Sequence, residues 1–406
     1  MAESSFNPVR SRRVFYIPGY DPIHPRRYRE LYRKEGAAQA AISGYRLALA
    51  AKQGGGAGGP YGWHVDGAIE GGETRADFEV LVWSDIVRDS MSNSIVATYL
   101  QLARTAWTYI ASGALARLMR LRKGPVIAAL YPVLFLLLQL LLALLAAWGL
   151  GRVLGLFLPP WTAWLGLAAV PPVLGWFRKK DNRFFAYYLM HDYAYSARWK
   201  GANPPELEAR MAEFAERIAS ALHQEVDEVL VVGHSSGAHL AVSVLADLIR
   251  QGRVPDNGPV LSFLSLGQVV PMVSFLPRAR RLRADLHFLC QRDELTWVDV
   301  TAPGDGCAFA LCDPVHVSGV APAQGKRWPL VLSAAFTQTL SPARWKELRW
   351  RFFRLHFQYL CAFDAPGEYD YFRITAGPQT LGRRFAGRAA SQSRIETPVN
   401  KFTGTA

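Results

Sequence analysis

Val229-Leu230-Val231-Val232-Gly233-His234-Ser235-Ser236-Gly237-Ala238-His239-Leu240 is the stretch that decides how the chain folds. Its first four residues are valine and leucine, the unbroken apolar run of a strand buried on both faces inside a parallel sheet. Beyond Ala238 the pattern turns helical and runs to Gly252, a natural C-terminal cap. Between the two lies Gly233-x-Ser235-x-Gly237. A chain that turns from strand to helix this sharply strains the residue at the apex and leaves no room for β-carbons beside it. Ser235 then projects at the C-terminal edge of the sheet, where the helix N-terminus offers free N–H groups and a positive dipole end. G-x-S-x-G alone is a weak pattern; the strand before it and the helix after it make it a nucleophile elbow.

The surroundings read as α/β. Upstream, 14–17 is a short buried strand ended by Pro18-Gly19, 26–52 reads as helix, and 63–69 and 76–83 read as strands around Gly71-Gly72. From 84 to 121 the chain reads helical, with Leu100, Ala103, Trp107, Ile110, Ala114, Leu118 and Leu121 forming one stripe. Downstream, Asn203-Pro204-Pro205 starts a helix, and strands are expected at 260–266, 296–301 and 330–336. Alternating strands and helices imply a mainly parallel sheet with right-handed crossovers. The polar stretch 381–406 is expected to be a disordered tail.

With this elbow the chain resembles the α/β-hydrolase superfamily, in its lipase and esterase branch, over about 14–83 and 226–378. The resemblance implies a Ser–acid–His order and an ester-cleaving reaction through an acyl-enzyme. It also implies an oxyanion site after an early strand. Pro18-Gly19-Tyr20 fits that position, with backbone N–H groups from Tyr20 and Ser236, although Pro18 stands where the family often has histidine and a plain turn reads equally well. For the acid, Asp293, Asp299, Asp305 and Asp313 follow the elbow. Asp299 falls inside a strand, whereas Asp305 lies in a loop just past its end and is favoured, its bland alternative being turn formation beside glycine. For the base, His356 is favoured over His316; its bland alternative is a buried helix histidine. His234 and His239 are poorly directed for the task.

A second feature interrupts this pattern. The run 126–148 is uncharged and leucine-rich, and a second uncharged run, 153–177, holds Pro159, Pro160, Pro171 and Pro172. Tryptophans stand near the ends of both runs. Arg117, Arg120, Arg122 and Lys123 precede the pair, and Arg178, Lys179, Lys180 and Arg183 follow it. Basic flanks on both sides place both outer ends in the cytoplasm. The expectation is therefore a two-helix transmembrane hairpin at 124–178, inserted between 1–123 and 179–380 of a hydrolase core, with catalysis on the cytoplasmic side of an integral membrane protein.

Composition agrees. The formal charge of +13 thickens beside the apolar block, which favours anionic lipid over nucleic acid. Four cysteines without a C-x-x-C pair, and nine histidines without metal spacing, imply neither a disulfide framework nor a metal site. No cleavable signal is expected in 1–13. Gly54, Gly56 and Gly59 satisfy G-x-G-x-x-G but follow a helix instead of a strand, so no dinucleotide cofactor is expected. The partners expected are the lipid bilayer and an acyl ester, with no cofactor. The same residues would serve an acyltransferase or thioesterase. A catalytically dead, membrane-tethered interaction protein could keep the fold.

Overall fold

The computed structural model describes residues 8–52, 60–91 and 94–405; the glycine motif at 54–59 lies outside them. Eight strands form one sheet in the order β2-β3-β4-β1-β5-β6-β7-β8, comprising β1 (Ser11–Ile17), β2 (Arg46–Ala51), β3 (Gly62–Ile69), β4 (Gly72–Val80), β5 (Glu228–His234), β6 (Val260–Leu266), β7 (Leu295–Thr301) and β8 (Leu330–Ser333). Strand β3 is antiparallel to both neighbours, and every pairing from β4 through β8 is parallel. The elbow strand β5 is central and buried along its whole length.

Helices cover both faces. They begin with α1 (Arg26–Ser43), α2 (Ser84–Ser90), α3 (Ile95–Ala111), α4 (Ala114–Leu118) and α5 (Lys123–Phe157). After a 3-10 segment, Pro160–Ala169, come α6 (Val170–Lys179), α7 (Asp181–Phe184), α8 (Ala186–Arg198), α9 (Pro205–Leu222) and α10 (Ser236–Arg250). On one face, Phe15, Val229 and Val231 pack under Phe214 and Ile218 of α9 and Leu240, Val244 and Leu248 of α10. On the other, Val14, Tyr16, Leu230 and Val232 meet Tyr28 and Tyr32 of α1 with Tyr359, Phe363 and Phe372. The period of two in β1 and β5 sends alternate residues into the two layers.

Arg12 and Glu228 form a fully buried ion pair between β1 and β5, 2.6 Å apart. Arg12 also donates to the carbonyls of Gly377 and Gln379, and Glu228 accepts from Ser262 and from the Leu381 N–H. The pair is thus saturated, as a buried charge must be.

Four expectations need correction. Residues 46–52 do not continue the first helix: Gly44, at φ 71°, caps it, and the chain returns as the edge strand β2. The stretch 84–121 is not one helix but α2, α3 and α4; on α3 Leu100, Trp107 and Ile110 are exposed, while Thr98, Leu102, Thr105 and Tyr109 pack inward. The tail from 381 is docked, not disordered. Ile395 bridges to Cys312, Asn400 donates to the carbonyls of Ser274 and Ser318, and Arg283 donates to Gly404. The tail is thus tied down by hydrogen bonds in both directions, Asn400 donating to the body and the Gly404 carbonyl accepting from it.

The fourth correction concerns the apolar insert. The described residues contain one helix long and apolar enough to cross a membrane, α5, with 35 residues. That is about 52 Å of helix against a hydrocarbon core of about 30 Å. Its first turns pack on the rest of the fold: Val126 packs with Leu118, Phe309 and Cys312, and Tyr131 donates to the Phe184 carbonyl. Beyond Leu136 the leucines are largely exposed. The second run is not a single helix, because its prolines break it into the 3-10 segment and α6. This leg packs back against α5. A β-carbon on Gly166 would stand 2.2 Å from the Ala147 carbonyl oxygen, and one on Gly151 2.5 Å from that of Ala163.

Candidate active site

The elbow has the geometry its glycines require. Ser235 sits at φ 57°, ψ −122°, a conformation strained for a residue with a side chain. A β-carbon on Gly237 would lie 2.0 Å from the Ile17 carbonyl oxygen, and one on Gly233 2.7 Å from the Ala238 Cα. The turn therefore presses β5 and α10 against the end of β1 too closely for any other residue. Gly19 is fixed the same way: its β-carbon would meet Ser235 Cβ at 2.9 Å. The loop after β1 is held against the serine by the Trp83 indole, which donates to the Pro18 carbonyl at 2.9 Å. Asp21 ties it further, accepting from the Ile23 N–H, Arg27 and the Tyr28 hydroxyl.

Asp305 follows β7, and His356 ends the short helix Phe352–His356. Residues so far apart in sequence meet because both segments cross the C-terminal edge of the parallel strands. His356 Nδ1 lies 2.7 Å from Asp305 Oδ2, with both side chains buried. The carboxylate accepts the Nδ1 proton, and Nε2 has no hydrogen-bond partner among the described residues. Asp305 is saturated by two further donors: the Cys307 N–H on Oδ1 at 2.8 Å and the Tyr359 hydroxyl on Oδ2 at 3.0 Å. His234 Nε2 lies 3.0 Å from the His356 carbonyl oxygen, and burial pushes that imidazole down to about 3, so it stays neutral.

One cleft brings together Gly19, Tyr20, Ser235, Ser236 and His356. The Ser235 hydroxyl has no hydrogen-bond partner among the described residues, and the backbone N–H groups of Tyr20 and Ser236 likewise donate to no described group. Ser236 opens α10, so its N–H is one of the groups a helix leaves unpaired. Four of the five residues singled out from the sequence, Tyr20, Ser235, Ser236 and His356, thus border one space, and the fifth, Asp305, lies behind His356.

The rejected alternatives lie elsewhere. Asp293 is exposed and pairs loosely with Arg327. Asp299 is buried in β7 against Ser265, and burial pushes its carboxyl up to about 8. Asp313 caps the helix Pro314–Val317 and binds Lys326 at 2.8 Å and His316 at 3.1 Å. His316 is thereby committed to Asp313 and lies outside the cleft.

Sequence reasoning missed three features, one behind the cleft and two in it. Tyr359, one turn after His356, is the third donor on Asp305. Asp192 of α8 reaches the cleft without a described partner, and burial pushes its carboxyl up to about 7, opposed by His356. Cys307 also lines the cleft; burial and the neighbouring Asp305 hold its thiol protonated. The run Tyr187-Tyr188-x-x-x-Asp192-Tyr193-x-Tyr195 was the available signal for α8, an aromatic-rich helix carrying one lone acid.

Metal binding has two geometric candidates. Asp305, Cys307 and His356 present ligand atoms within 4.8 Å of one another. The carboxylate and imidazole are already bonded to each other there, and a protonated thiol is a poor ligand. At Asp313, His316 and Glu396 the Lys326 ammonium already occupies the carboxylate.

An unbonded hydroxyl at a strained turn, an imidazole with Nε2 free, a buried carboxylate behind it and two unpaired N–H groups are the parts needed for nucleophilic acyl transfer. No family model, curated protein or solved structure matches the chain.

Proposed function

We propose that the protein is a membrane-anchored serine hydrolase of the α/β-hydrolase type that cleaves lipid-like carboxylic esters. The observation that carries the reading is His356, backed by Asp305, lining the same cleft as Ser235 at its strained turn. His356 Nε2 takes the Ser235 proton while Oγ attacks the ester carbonyl carbon. The oxyanion that forms is held by the N–H groups of Tyr20 and Ser236. The carbon–oxygen bond to the alcohol then breaks, and His356 returns the proton to the departing alkoxide. Water enters, gives its proton to His356 and attacks the acyl-enzyme; release of the acid restores Ser235. Asp305 holds the ring's orientation and stabilises the imidazolium in both halves. Cys307 does not compete as nucleophile, because its thiol stays protonated.

The exposed leucines of α5 beyond Leu136 and the return leg packed on them support a membrane hairpin whose second leg is part 3-10 helix. Ten residues of 3-10 helix and the apolar part of α6 together reach about 30 Å, enough to recross. The basic residues at both feet favour a cytoplasmic catalytic body.

The test is hydrolysis of p-nitrophenyl butyrate by the purified full chain in detergent. The reading expects turnover that disappears in Ser235→Ala. Turnover unchanged by that substitution, or none in the wild type, counts against it.

A further inference from the structure

A second cavity, of about 130 Å³, adjoins the catalytic cleft. Tyr109, Tyr193 and Met272 line both spaces, which meet at these three side chains. The rest of the second cavity is made by the helices outside the sheet. Ala106 and Ile110 come from α3, Leu118 from α4, and Ala129 and Leu130 from the first turns of α5. Gly113, at φ 71°, breaks α3 from α4 and folds α4 beneath the opening. The lining is almost wholly apolar, and the Tyr109 hydroxyl is already spent on the Met272 carbonyl at 2.9 Å. Ordered water needs several polar partners and finds almost none here. The outer end lies at Ile110, on a surface where Trp107, Ile110, Ile127 and Leu134 are each more than 60 % exposed. That surface is continuous with the exposed leucines of α5.

We infer that this cavity holds the acyl chain of the ester attacked at Ser235, and that the chain enters sideways from the bilayer between α3 and α5. The inference rests on the hydrolase reading and adds the substrate class: esters of medium- to long-chain fatty acids in preference to those of short soluble acids. The occupant is a single alkyl chain for three reasons. The cavity is narrow, its inner end meets the nucleophile's cleft, and its outer end lies by exposed apolar side chains of α3 and α5. Two small residues, Ala106 and Ala129, keep it open.

The experiment uses the full chain in phosphatidylcholine nanodiscs with p-nitrophenyl butyrate, octanoate and dodecanoate. Wild-type kcat/KM is expected to rise by about two- to fourfold for each methylene that the cavity takes up. Ala106→Trp and Ala129→Trp fill the cavity without touching the cleft. Each is expected to leave butyrate turnover within about threefold of wild type while lowering the dodecanoate-to-butyrate ratio at least about tenfold. Labelling of Ser235 by a small ethyl fluorophosphonate reports whether a variant is folded. Where the tryptophan variant does not label, Ala106→Leu and Ala129→Leu are expected to shorten the preferred chain. A wild-type ratio in labelling-competent variants overturns the inference and leaves the hydrolase reading intact. Absence of turnover on all three esters, in a wild type that does not label, removes both.

Discussion

The Tyr359 hydroxyl bridges Asp305 and the backbone at the end of β7: it donates to Asp305 Oδ2 at 3.0 Å and accepts the Ala302 N–H at 3.0 Å. Tyr359 and His356 thus share the Oδ2 oxygen of Asp305. Tyr359→Phe leaves a buried N–H unpaired and takes one of the two donors from that oxygen. The expected cost is about 1.5–3 kcal/mol of stability by denaturant titration. Turnover of p-nitrophenyl butyrate should fall with little change in KM, and by less than in Asp305→Asn, because the residue acts through the carboxylate.

Asp192 gives a pH-dependent stability. Its carboxyl titrates at about 7 in the folded chain, against 3.8 for an ordinary aspartate. The folded state therefore holds the proton more tightly than the unfolded state. Stability from this group is full below pH 4, declines as the pH rises to 7 and stays lowered above that. Asp192→Asn removes the penalty. The stability difference between variant and wild type should shift in favour of the variant by about 2–4 kcal/mol between pH 4 and pH 8. Thermal melts at the two pH values check it, and a pH-independent difference contradicts the assignment.

The Arg12–Glu228 pair joins the N-terminal strand to the elbow strand across a gap of more than two hundred residues in sequence. Arg12→Ala leaves Glu228 charged and buried, with an expected loss of about 3–5 kcal/mol. Denaturant unfolding followed by tryptophan fluorescence measures this directly. A loss below about 1 kcal/mol would mean that the carboxylate finds another partner.

Gly166 and Gly151 allow the return leg to lie against α5. Gly166→Leu forces the two legs apart. Thermal stability in detergent should drop, while turnover of butyrate, whose cleft is built by the sheet edge and the foot of α5, should stay within about twofold of wild type. A large loss of that turnover would mean that the upper insert shapes the cleft.

The elbow was legible because three constraints coincide there: an apolar strand, a helix and two glycines whose β-carbons have no space. Asp305 and His356 were legible more loosely, through chain order and the strand end that Asp305 follows. What sequence could not supply was the facing partner. Tyr359 and Asp192 are ordinary residues until the fold turns the first toward Asp305 and the second toward the cleft. The missed edge strand β2 is exposed, so its alternation is weak and the preceding helix pattern ran over it. The stretch 84–121 ran together for a different reason: its apolar spacing continues across Gly113, where the positive φ separates α3 from α4. The tail looked disordered by composition, yet its value lies in backbone groups, which composition does not weigh. The apolar insert was visible as two runs, but the boundary was placed too early, since the first turns of α5 pack on the rest of the fold.

The most direct measurement is fluorophosphonate labelling of the full chain, followed by peptide mapping of the modified residue. The account predicts a single adduct on Ser235, lost in Ser235→Ala and slowed by about 10⁴-fold or more in His356→Ala, with His316→Ala close to wild type. An adduct on another residue, or labelling unchanged by Ser235→Ala or His356→Ala, would contradict it.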